Sequence, residues 1–96
     1  MISAETARHN VNQYEIEIYQ QTETKVLELI DTMSKSIEYH SRNGFDCLNF
    51  APYEKTRFTS DHVMNIAHEI FRKIFEANGY KIICNDVAKN ILKVQW

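Results

Sequence analysis

Apolar residues recur along the first forty positions at Ala7, Val11, Tyr14 and Ile18 and again at Val26, Ile30, Met33 and Ile37. Their alternating four-and-three spacing keeps each run on one face of an α-helix. Ser3 precedes the first run as an N-cap, with Glu5 in the first turn where the helix dipole favours an acid. The polar stretch Gln20 to Thr24 interrupts the stripe but contains neither Gly nor Pro. The pattern predicts one helix, straight or bent, of about 37 residues and about 55 Å. The alternative is a break near Gln21 that folds the chain back as two shorter helices. Arg42, Asn43 and Gly44 end the helical pattern, Gly44 supplying the left-handed residue such ends favour.

A chain of this size forms a domain only about 26 Å across. A continuous first helix must therefore overhang it. Val11, Tyr14 and Ile18 would lie on the overhanging part, an apolar face that calls for another protein surface, most simply a second copy.

Beyond Gly44 the periodicity shortens. Phe45 to Phe50 alternates imperfectly and reads as a weak strand stopped by Ala51 and Pro52, followed by an exposed loop from Tyr53 to Arg57. Thr59 or Ser60 caps a second helix, with Phe58 placed to pack on Val63 if Thr59 is the cap. Val63, Ile66, Ala67, Ile70, Phe71, Ile74 and Phe75 give that helix a wide buried face, and Asn78 and Gly79 end it, with Tyr80 able to pack back on its last turn. Tyr80 to Cys84 and Ile91 to Trp96 are β-rich runs joined by the turn-forming stretch Asn85 to Asn90. The expected fold is a single α+β domain over residues 1–96. Its order is α-β-α-β-β, with a long N-terminal helix, a second amphipathic helix and a small three-stranded, mainly antiparallel sheet.

Charge changes this picture in one respect. Residues 3 to 40 carry seven acids against three bases, whereas the remainder carries six acids against eight bases. Neither half has the cation density that phosphate-backbone binding needs, so nucleic acid is disfavoured as a partner. Cys47 and Cys84 lie far apart without metal-ligand spacing and read as reduced packing thiols. No run of about 18 apolar residues is present to span a membrane. Met1 to Asn10 lacks the apolar core of a secretory leader, so the protein is expected to stay where it is made.

Candidate chemistry is sparse. Asp61, His62, His68 and Glu69 share the second helix, but the two His–carboxylate sets stand two turns apart, about 10 Å along the axis, with no His-Glu-x-x-His pairing. Cys47, between Asp46 and Leu48 in a β-like run, has no local feature that would activate it as a nucleophile. With only Gly44 and Gly79, the chain has no glycine-rich phosphate loop. Neither catalysis, a metal nor a cofactor is expected. The loop Tyr53, Glu54, Lys55, Thr56, Arg57, Phe58 does combine aromatics with cations, a pairing that binds nucleotides or acidic surfaces by stacking and charge. Its candidate ligand residues are Tyr53, Lys55 and Arg57. The competing reading has Tyr53 covering the sheet edge and Phe58 capping the second helix while the charges solvate the loop.

The two ends carry a further pattern: Met1, Ile2, Ala4, Ala7 and Arg8 entering a long helix, Gly79, Tyr80, Lys81 and Ile82 closing the second, and Lys93, Val94, Gln95 and Trp96 as a last strand. The layout resembles small uncharacterised accessory proteins of tailed bacteriophages and prophages; residues 41 to 58 are unmatched. The resemblance implies a viral origin, with the host cytoplasm or the virion as the place of action, and carries no activity with it. The leading expectation is stoichiometric protein binding, as a homo-oligomeric virion component or as an inhibitor of a host defence factor. The alternative is an oligomeric module that sequesters a nucleotide-like ligand through Tyr53, Lys55 and Arg57.

Overall fold

The computed structural model describes residues 1–96, ordered as α1 (Ala4–Arg42), β1 (Cys47–Phe50), α2 (Asp61–Ala77), β2 (Lys81–Asp86) and β3 (Ile91–Gln95). This is the expected α+β order, with α1 unbroken over 39 residues. Ser3 caps it, its hydroxyl accepting from the Thr6 amide at 3.1 Å. The polar interruption, which has neither Gly nor Pro, does not break the helix, and its threonine hydroxyls bond back one turn. Thr22 donates to the Ile18 carbonyl at 2.7 Å and Thr24 to that of Gln20 at 3.0 Å. Thr22 is thereby satisfied although it is buried, and helical backbone is the conformation that keeps its acceptor in reach.

Both helices end in the same six-residue device. Gly44 and Gly79 take left-handed φ values of 86° and 85°. The amide two places after each cap reaches back to the last turn, Phe45 to His40 and Tyr80 to Phe75, each at 3.0 Å. The rings of those residues meet edge to face, His40 with Phe45 at 5.5 Å and Phe75 with Tyr80 at 5.4 Å. This accounts for a shift in the first strand: Phe45 belongs to the helix stop, and β1 begins at Cys47. The cap of α2 is Ser60, accepting from the Val63 amide, so Phe58 lies outside the staple position and enters the core instead.

The sheet is fully antiparallel in the order β1-β3-β2, which puts the last strand in the middle. Leu48 pairs with Val94 and Phe50 with Leu92 on one side of β3; Ile82 pairs with Val94 and Asn85 with Leu92 on the other, across a bulge between Ile82 and Cys84. Leu92 and Val94 are fully buried and meet a core formed by Val26, Met33 and Ile37 of α1, Tyr53 and Phe58 of the connecting segment, and Met64, Ala67, Ile70, Phe71 and Phe75 of α2. Every α1 residue of that cluster lies at or beyond Val26. The molecule accordingly measures 63 × 24 × 19 Å, and its radius of gyration, 16.3 Å, exceeds the roughly 12.5 Å of a compact chain of this length. No helix is long and apolar enough to cross a membrane.

Candidate functional site

Two surfaces carry the residues singled out by sequence: the projecting start of α1 and the segment between β1 and α2. The first is an arm. From Ala4 to Tyr14 all residues but the half-buried Ala7 are exposed, and the first side-chain hydrogen bond between α1 and the head is that of the Glu15 carboxylate, 3.1 Å from His62 Nε2. Val11 is 60% and Tyr14 55% exposed, an apolar valine and a phenol ring on a helix with nothing of its own chain beside them. Ile18 differs. It is half-buried at the junction, lining a small depression with Thr22, Thr59 and Val63, so of the three predicted face residues it alone touches the head. Ile16 and Tyr19, absent from the predicted face, are also exposed and line a second, shallow hollow with His62 and Ile66. They lie off the four-and-three spacing, which is why a single-stripe reading passes over them.

The connecting segment is built differently. Glu54 to Phe58 turns back on itself, the amides of Arg57 and Phe58 both reaching the Glu54 carbonyl at 2.9 and 3.0 Å. The turn swings Tyr53 and Phe58 inward together and leaves Glu54, Lys55, Thr56 and Arg57 outside. Tyr53 is only 4% exposed. Its backbone amide donates to Asn90 Oδ1 at 2.6 Å, its hydroxyl donates to Asn85 Oδ1, and its ring stands edge-on to Phe71 at 5.8 Å. Burial pushes its phenol well above the ordinary tyrosine value. A ring held in this way offers no face to a ligand.

Lys55 and Arg57 do not converge. Lys55 lines a depression with Phe58, Thr59 and Asp61. Arg57 lines another with Glu28, Thr32 and Lys25, whose ammonium donates to the Arg57 carbonyl at 2.8 Å. The three residues expected to share a ligand are therefore one core residue and two separated surface cations, and packing against α2 and β2 is what removes Tyr53 from the set.

The histidines of α2 are also spoken for by separate groups. His62 meets Glu15 of the arm junction. His68 Nε2 donates to the Asn85 carbonyl at 3.1 Å, and the Asn85 amide donates to the His68 carbonyl at 3.4 Å. Glu69 is held below its usual carboxylate range by the hydrogen bond from Arg72, whose guanidinium also reaches Glu76 at 3.3 Å on the exposed side of α2. Asn85 thus ties the connecting segment, α2 and β2 into one polar knot, and Asn90, with a left-handed φ of 53°, ties the β2–β3 turn to the same tyrosine. Both asparagines were legible only as turn formers. The chain matches no family model, and neither a curated protein nor a solved structure matches it.

Proposed function

We propose that the protein acts by stoichiometric protein binding and that the projecting half of α1 is the binding element. The observation that supports this reading is the unpartnered arm itself. An isolated helical segment of about 11 to 14 residues is marginal in water, because most helical stability in proteins comes from packing one face. Here Val11 and Tyr14 are exposed, while from Thr22 onward the same helix buries one face, Thr22, Val26, Met33 and Ile37. On the resemblance of its two ends to phage accessory proteins, the partner is a second copy, a virion protein or a host protein, met in the infected cytoplasm or in the particle.

The test is the solution mass by light scattering across a hundredfold concentration range, with binding to virion and host proteins measured in parallel. Wild type is expected to exceed the 11.3 kDa of one chain as concentration rises or to retain a partner. The pair Val11→Asp and Tyr14→Glu should abolish either behaviour, while Gln13→Glu, away from that stripe on the arm, should not. Binding that survives the double substitution would overturn the assignment of the arm.

A further inference from the structure

The geometry points to a specific occupant of the arm: we infer that two copies pair through their arms in antiparallel register, crossing beside Val11. The inference rests on the arm being the binding element and adds the partner and its direction.

Three observations carry it. The first is the spacing on the arm, where Ala4, Ala7, Val11, Tyr14 and Ile18 alternate by three and four, the pattern of a coiled-coil seam. The seam is graded in size, small at Ala4 and Ala7 and large at Tyr14 and Ile18. Two such seams in parallel would set alanine against alanine and tyrosine against tyrosine. Reversed, each small end meets a large one, which fills the layers evenly.

The second is charge. Arg8 is exposed, makes no ion pair within its own chain, and is the only Lys or Arg in the first 24 residues. Glu15, whose carboxylate also meets His62 Nε2 of its own chain at 3.1 Å, lies seven residues on, at the equivalent position of the next heptad, beside the seam on the same flank. In an antiparallel pair such positions face each other across the seam, so Arg8 of each copy comes level with Glu15 of the other, in two symmetric pairs. A parallel pair brings neither into reach. With Arg8 level with Glu15, the crossing point falls between Val11 and Asn12, Ala4 comes beside Ile18 and Tyr19, and the overlap runs about 24 Å.

The third is the position of the head. Thr22, one turn beyond Ile18 on the same face, is already buried, followed by Val26, Met33 and Ile37. A partner helix running in the same direction would continue into the space held by Thr59, Val63 and the rest of the head. A reversed partner carries its own head to the far end, and only its first turn, at Ala4, reaches the junction where Ile18 lies beside Thr59 and Val63.

Charge exchange and cross-linking test the proposal on the full-length chain. Arg8→Glu and Glu15→Arg, each alone, are expected to weaken self-association about tenfold, two exposed pairs being turned to repulsion, and the combined exchange to restore it to within about threefold of wild type. In a chain carrying Cys47→Ser and Cys84→Ser, Val11→Cys should oxidise to a covalent dimer. Ala4→Cys and Ile18→Cys should each remain monomeric alone and link when mixed. Self-linking at both Ala4→Cys and Ile18→Cys would overturn the antiparallel register. A mass of one chain at every concentration would overturn self-pairing while leaving binding of another protein by the arm to its own test, and a dimer indifferent to Val11→Asp and Tyr14→Glu would overturn both readings.

Discussion

The two halves of α1 are the same kind of helix in different surroundings. From Thr22 to Arg42 it contributes Val26, Met33 and Ile37 to the core and is held against the connecting segment by Lys25; from Ala4 to Tyr14 it contributes nothing to the core, and every residue but Ala7 is exposed. Both halves have apolar residues at helical spacing, so periodicity is alike in the two. What separates them is whether the chain supplies a second surface. In the head, the Glu54–Phe58 turn and α2 supply it, and the stripe becomes core. On the arm no other element is near, and the stripe remains available to another molecule.

The difference can be broken most severely from the head side. Phe71 is fully buried and carries the edge contact with Tyr53, so Phe71→Ala should cost about 3 to 5 kcal/mol in denaturant unfolding. An equivalent loss for Val11→Ala would show that the arm is packed within its own chain.

Next in size is the knot around Asn85. Tyr53→Phe removes the one donor to Asn85 Oδ1 and should cost about 1 to 2 kcal/mol, read from the same unfolding curves. This variant also has a pH signature. The folded phenol is held protonated while the unfolded one ionises near its ordinary value of 10.0, so its contribution is whole below about pH 10 and declines as pH rises above it. Wild type should therefore lose stability relative to Tyr53→Phe above pH 10, by up to about 1.4 kcal/mol per pH unit. Parallel curves through that range would mean the phenol is not sequestered.

Ser3→Ala separates local from global stability. The lost cap is worth about 1 kcal/mol to the first turn. Because that turn is remote from the core, global unfolding should move by less than about 0.5 kcal/mol, and the change should appear as faster amide exchange over residues 4 to 10. Smallest of all, Val11→Asp with Tyr14→Glu should leave unfolding of the dilute protein within about 0.5 kcal/mol of wild type. A larger shift would place those side chains in the head.

Much of the fold was legible because its signals are local. The α2 face from Val63 to Phe75, the Asn-Gly stops of both helices, the β2–β3 hairpin and the continuity of α1 each rest on residues within a turn or two of one another. The connecting segment was legible only as a choice between loop and packing, because Tyr53 is decided by Asn85 and Asn90, which lie 32 and 37 residues away in sequence. Composition, aromatics among cations, cannot distinguish a ring that stacks on a ligand from one that closes a core. Placement of β3 at the centre of the sheet was likewise beyond local pattern, although its alternation of buried Leu92 and Val94 with less buried neighbours is the mark of a strand covered on one face. On the arm, spacing showed the stripe, but only the position of the head showed which part of it stays uncovered.

The most direct test of the central claim is amide hydrogen exchange over α1 at two protein concentrations a hundredfold apart. Residues 22 to 42 are expected to be strongly protected at both. Residues 4 to 14 should exchange rapidly in dilute solution and become protected at high concentration, with the gain lost in Val11→Asp, Tyr14→Glu. Arm protection that is the same at both concentrations, whether high or absent, would contradict that claim.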